Sequence, residues 1–330
     1  MAEFLTFDTD LTAVANAIRA KGGTSAQLVY PNGFVSAIQA IQTGITPKLV
    51  VTTTPGAAIT ATPAEGFKVV KGTAGADGMC TLELPKAGTW HVTAMANSVS
   101  NSQNIVIGTQ NMLLPLYHDT FADNTWEEII AVCRTGIAPD SWAVGDSKTM
   151  NIGGTAYQVD IIGKNHDEYA DGSGTAPLTF QLHDCYSEAK QMYSTNLSGL
   201  GWKNTDMRLT YLPAILALMP AEVQNGIRAV NKKTSEGGNS TTIEMVSDTL
   251  FLLSEVEIFG TASSSVAGEG SQYDYYKAGN PKIKKREGVD EFWWERSSAS
   301  GGMFCRVRAN GQAGASNASN SLGVSFAFCF

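Results

Sequence analysis

Phe292-Trp293-Trp294-Glu295-Arg296 and, after a short polar gap, Met303-Phe304-Cys305-Arg306-Val307-Arg308 read as two strands, with Asn310-Gly311 as the turn that follows. A low-complexity loop carries the chain to Asn320, and Gly323-Val324-Ser325-Phe326-Ala327-Phe328-Cys329-Phe330 reads as a closing strand. Its apolar residues run to Phe330, which is therefore expected inside a sheet and not in a tail.

Working back from this block, residues 250–255 form a short apolar segment leading into Val256-Glu257-Ile258-Phe259-Gly260, and a long loop rich in Ser, Gly and Tyr follows. Residues 148–152, the turn Gly153-Gly154 and residues 155–163 predict a hairpin, and residues 178–182 a further strand. Residues 125–133 predict a helix capped by Asn124 or Thr125, residues 206–218 a helix interrupted near Pro213, and residues 221–230 a helical stretch. Residues 111–330 thus read as one α+β domain. Before it, the pattern is short alternating strands at 49–54, 59–62, 67–70, 81–84, 90–94 and 105–107, which predicts a β-sandwich over residues 47–110, immunoglobulin-like or transthyretin-like. In residues 1–46, Leu11, Val14, Ala15 and Ile18 and then Phe34, Ile38 and Ile41 lie at helical spacing, predicting two short helices that cannot bury a core alone.

The composition narrows the function. Among 330 residues, 23 Lys+Arg stand against 31 Asp+Glu, a net charge of −8 that disfavours nucleic acid and anionic membranes as partners. Charged residues make up only 16%, and 33 glycines accompany many Ser, Thr and Asn, a balance that suits β-rich surfaces of neutral polar residues. The longest strongly apolar run, 214–219, is far short of the roughly 20 residues that span a bilayer. The N-terminus lacks the basic start and apolar stretch of a secretory signal, so synthesis in a cytoplasm is expected. Five scattered cysteines without a CxxC pair are expected to be reduced and structural, Cys305 and Cys329 being the one pair to check.

Catalytic signatures are sparse. No GxSxG elbow, HExxH, P-loop or zinc spacing occurs. His183-Asp184-Cys185 has the residue types of thiol catalysis, but neighbours on a strand point to opposite faces. Asp167, Glu168 and Asp171 gather oxygen donors beside Gly172-Ser173-Gly174 without the ligand spacing of an EF-hand, so a solvated loop is expected and no metal or cofactor. The basic run Lys282 to Arg286 is short and reads as a solvated turn. His91, alone on a strand, reads as structural.

Three segments carry resemblances. Residues 11–21 with Tyr30-Pro31-Asn32-Gly33-Phe34 and Ala37-Ile38 resemble the N-terminal module repeated in tail and baseplate proteins of phages and prophages from Gram-positive hosts. Residues 47–108, with Ala76-Asp77-Gly78, Leu82-Glu83-Leu84-Pro85 and Ala87-Gly88-Thr89-Trp90, look like the carboxypeptidase-regulatory-like sandwich used as a spacer in the same proteins. Residues 142–330 resemble a domain of unknown function common at the C-termini of such tail proteins, through 159–163, Asn165-His166-Asp167, Gly201-Trp202, Met207-Arg208, 230–234, 250–260, Tyr275-Tyr276, Trp293 to Ser297 and Gly323 to Phe326. The C-terminal pattern is similar to the C-type-lectin-like fold shared by formylglycine-generating enzymes and retroelement-diversified phage tropism proteins.

That resemblance implies a display scaffold whose receptor contacts fall between Ser297 and Asn320. The residues agree: Ser298, Arg306, Arg308, Asn310, Gln312, Ser316, Asn317, Ser319 and Asn320 offer hydrogen bonds on strands and a loop, and Tyr273, Tyr275 and Tyr276 could line a neighbouring wall. The catalytic members of the fold use a close cysteine pair, which Cys305 and Cys329 do not match in spacing, so no enzyme activity is expected. The reading implied is a virion protein of a phage tail, a homotrimer or other closed oligomer, attached to other tail proteins through residues 1–46 and binding a host-surface glycan or protein. Its rivals are a structural baseplate component and, further off, an enzyme that degrades a surface polymer.

Overall fold

Strict alternation drives the first sheet: in β1 (Lys48–Thr52), Leu49 and Val51 are fully buried while their neighbours face outward. The computed structural model describes residues 8–22, 28, 47–64, 66–107, 110–238 and 240–330, and the chain divides into two compact units, Met1–Tyr117 and His118–Phe330. Both are mainly β-structure with few helices.

In the first unit, α1 (Asp8–Gly22) buries Ala15 and Ile18; the second helix expected around Phe34, Ile38 and Ile41 lies outside the described residues. The strands β1, β2 (Ala58–Pro63), β3 (Val70–Thr73), β4 (Met79–Glu83), β5 (Gly88–Ala96), β6 (Val99–Ile107) and β7 (Gln110–Leu113) form two sheets, β4-β1-β7 and β3-β2-β5-β6. Leu49, Val51, Ile59, Leu82, Trp90 and Val92 belong to one buried cluster. Two expectations shift. The strand placed at 67–70 begins only at Val70, where Gly72 lets β3 pass tightly against the Cys80 and Leu82 side chains. β7 pairs in parallel with β1, so this unit continues past the boundary expected at residue 110.

The second unit is built around a sheet of order β18-β10-β9-β8, comprising β8 (Ser147–Ile152), β9 (Thr155–Lys164), β10 (Leu178–Leu182) and β18 (Ala327–Cys329). All five residues of β10 are buried. The helix α2 (Trp126–Cys133) starts in a capping box, in which Thr125 accepts from Glu128 N and Glu128 accepts from Thr125 N. Between β10 and β18 lie α3 (Leu212–Leu216), α4 (Ala221–Gly226), the hairpin β11 (Val230–Ser235) and β12 (Ile243–Asp248), α5 (Glu255–Phe259) and α6 (Asp274–Lys277). The hairpin β13 (Lys284–Arg286) and β14 (Val289–Glu291) follows, then the sheet β15 (Trp293–Ser298), β16 (Met303–Val307) and β17 (Ala313–Asn317).

The break expected near Pro213 is a π-helical turn over Met207–Tyr211 leading into α3 with Pro213 in its first turn, where the missing N–H leaves no gap. The helical stretch expected to residue 230 stops at Gly226, which packs against Ile130, and β11 takes over at Val230. The expected loop to Asn320 contains β17, paired from Ala313 to Asn317 against β16. The closing strand expected over 323–330 is confined to Ala327–Cys329, and Phe330, one residue beyond it, is buried with its carbonyl accepting from the Tyr169 hydroxyl.

Candidate functional site

Burial divides the eleven residues expected to bind a receptor into two groups. Ser298, Ser316, Tyr273 and Tyr275 are buried, which corrects the expectation that they face a partner. Tyr273 is in fact fully covered and donates to Asp167, and its neighbour Tyr276 is covered and donates to Gln181. Their hydroxyls satisfy the interior, as buried tyrosines must. Ser298 donates to Gly238 O. Arg306, Arg308, Asn310, Gln312, Asn317, Ser319 and Asn320 remain wholly or partly exposed on the β16–β17 hairpin and its ends.

Three of these side chains bond locally. Asn310 accepts from Gln312 N and donates to the Gln312 side chain; Asn320 donates to Ser316; Ser319 donates to Asn196. The two arginines lie across β17: Arg306 Nε donates to Ala315 O at 3.2 Å and Arg308 Nε to Ala313 O at 3.1 Å. The Arg306 guanidinium also stacks over the Phe292 ring, 4.1 Å from its centroid. Beneath the hairpin, Trp293, Trp294, Phe304 and Val307 are fully buried, so it stands on a rigid base.

Sequence reading missed a buried ionic network in the same unit. Lys232, on β11, donates to Asp167 at 2.6 Å and to Tyr273 at 3.0 Å, pairs with Glu257 at 2.7 Å and lies over Phe251. Arg296, on β15, forks onto both oxygens of Glu257 and donates to the carbonyls of Lys233, Leu252 and Glu269. Burial pushes the Asp167 and Glu257 carboxyls up, but Lys232 beside the first and Arg296 with Lys232 beside the second more than offset it, leaving both below the ordinary range. A cavity of about 280 Å³, walled partly by His166, Asn231, Lys233 and Ser271, opens over these charges. Its ionic floor already satisfies itself, and it holds the fold together. The signal for it was present in Ser254-x-x-Glu257, a second capping box, and in the charged pair Glu295-Arg296 inside an apolar strand.

Next to this network the balance is incomplete. Glu295 is fully buried and neither of its oxygens is bonded among the described residues; burial, with Glu255 and Glu269 nearby, pushes its carboxyl far above 4.5 and keeps it protonated. Glu269 is raised as well, chiefly by burial, and one of its oxygens has no partner among the described residues.

The other motifs resolve as structure. His183 follows β10 and does not sit on a strand; its Nδ1 meets Asp160 at 2.7 Å, which raises the imidazole. The neighbouring Cys185 is buried and its thiol pushed to about 12, so it carries little thiolate at neutral pH. All five cysteines are free and buried, and Cys305 and Cys329 are unlinked. Asp167 belongs to the ionic network while Asp171 pairs with Arg228, and no group of three candidate ligands lies together among the described residues. Lys284, in the expected solvated turn, is instead buried; it donates to the carbonyls of Leu182 and His183, and burial lowers it to about 8. His91 is exposed and bonded to Asn104. Among the described residues no helix is long and apolar enough to cross a membrane.

Residues 179–330 match a domain of unknown function (DUF6273). The match runs from β10 to β18 and takes in Lys232, Glu257, Arg296 and the whole β16–β17 hairpin, but neither Asp167 nor β8 and β9. No curated protein and no solved structure matches the chain.

Proposed function

We propose that the chain is a receptor-binding protein of a phage or prophage tail, with residues 1–46 as an attachment module, an immunoglobulin-like or transthyretin-like spacer, and a C-type-lectin-like head. The observation that carries this reading is the β16–β17 hairpin: exposed arginine and amide side chains on a fully buried aromatic base, in the stretch where the sequence resembles tropism proteins. A rigid polar face loses little freedom on binding. The head is a binding domain and not an enzyme, in keeping with thiols raised by burial and with carboxylates Glu255, Glu257 and Asp167 held by protein donors. A homotrimer on the virion would multiply a weak single site by effective concentration.

The test is binding of the full chain to whole cells of candidate hosts, beside a variant carrying Arg306→Ala, Arg308→Ala, Asn310→Ala and Asn317→Ala. These residues are wholly or partly exposed, so the variant should fold and lose binding. A folded wild-type chain that binds no cell in a broad panel would transfer the reading to a structural baseplate component.

A further inference from the structure

The arginines of the second unit are mostly neutralised. Arg208 pairs with Asp248, Arg228 with Asp171, Arg286 with Glu291 and Arg296 with Glu257. Arg134, which has no carboxylate among the described residues, stands alone at the C-terminal end of α2, where a cation is favoured. Arg306 and Arg308 also have none among the described residues, yet they stand two positions apart, on one face of β16 and its continuation. In a chain with 31 carboxylates against 23 cations, two adjacent guanidiniums without a counter-charge are an exception.

Their geometry is fixed. Each Nε is tied to a carbonyl of β17, and Arg308 is laid so closely across Gly314 that a Cβ there would come within 2.8 Å of its Nε. Phe292 supports Arg306 from below. With Nε engaged, the Nη donors of both side chains have no hydrogen-bond partner among the described residues, and the two charges feel each other: burial and then Arg308 lower Arg306. Asn310 and Asn320 are bonded within the hairpin, whereas the arginine Nη groups are open charged donors.

We propose that Arg306 and Arg308 form an oxyanion clamp, and that the receptor group it takes is a phosphate or carboxylate repeated along a surface polymer. Planar guanidinium forks match both groups bidentately, and a like-charged pair gains most from an anion that bridges it. The clamp rests on the receptor-binding reading of this hairpin and narrows it to anionic polymers.

The experiment measures binding of the full chain to immobilised poly(glycerol phosphate), polygalacturonate and neutral dextran, at low and at 0.5 M salt, with whole-cell binding in parallel. The expected result is binding to one or both anionic polymers and not to dextran, weakened about tenfold or more by salt, with phosphate and carboxylate sources separated by the two surfaces. Arg306→Gln/Arg308→Gln should abolish it, and Arg306→Lys/Arg308→Lys, which keeps the charge but removes the forks, should lose most of it. Circular dichroism of each variant confirms the fold. Equal binding of wild type and Gln variant, or no binding to either anionic polymer, overturns the clamp. If cells are still bound in that case, the receptor-binding reading stands without it; if no cell is bound either, both fall.

Discussion

Glu295 is a carboxyl held neutral by its surroundings, and the direction of its shift sets a pH dependence. Its folded-state value lies above 4.5, so between 4.5 and that value the folded chain keeps a proton that the unfolded chain releases, and stability falls as pH rises. Glu295→Gln, which mimics the protonated form, should therefore be more stable than wild type at pH 7. The gap should widen as pH rises above 4.5 and close near pH 4, read from urea midpoints. Lys232 argues the opposite way. Lys232→Met removes the ion-pair partner of the buried Asp167 carboxylate and should cost about 3–5 kcal/mol at pH 7, a loss that shrinks in acid as Asp167 takes up a proton. At this scale the sequence was only partly legible: Arg306 and Arg308 were picked out by residue type, whereas the burial of Tyr273 and Ser298 depends on partners more than 30 residues away, Asp167 and Gly238.

Elements were easier to read where chemistry is local. Thr125 and Glu128 mark a helix start, and Thr125→Ala should lower stability by about 1 kcal/mol in thermal or urea unfolding. The hairpin β8–β9 followed from alternation around Gly153-Gly154. β17 escaped because Ala313, Gly314, Ala315, Ser316 and Asn317 have weak strand preferences, and only pairing with β16 makes them a strand. The turn before β16 is demanding: Gly302 has φ 78°, and a Cβ there would lie 2.5 Å from Asn196 O. Gly302→Ala should destabilise by more than about 1 kcal/mol and, by displacing Asn196 from Ser319, loosen the far end of the hairpin, visible as faster amide exchange at Ser319.

For the whole molecule, a β-rich chain with two cores was foreseeable from composition and strand spacing, and the position of the boundary was not. Residues 110–113 look like a lead-in to the larger domain, but parallel pairing with β1 assigns them to the smaller one, and parallel partners can be far apart in sequence. A fragment spanning 118–330 should therefore unfold in a single cooperative step and keep the near-ultraviolet dichroism of its buried tryptophans.

The closure of the large sheet also sets a clock. Thr179 of β10 and Cys329 of β18 meet across 150 residues of intervening chain. At the roughly 5–20 residues per second at which ribosomes elongate, β10 waits about 8–30 s for its partner. Throughout that interval Phe180 lacks the cover of Phe328 and Phe330, leaving an apolar strand that nascent-chain chaperones would bind.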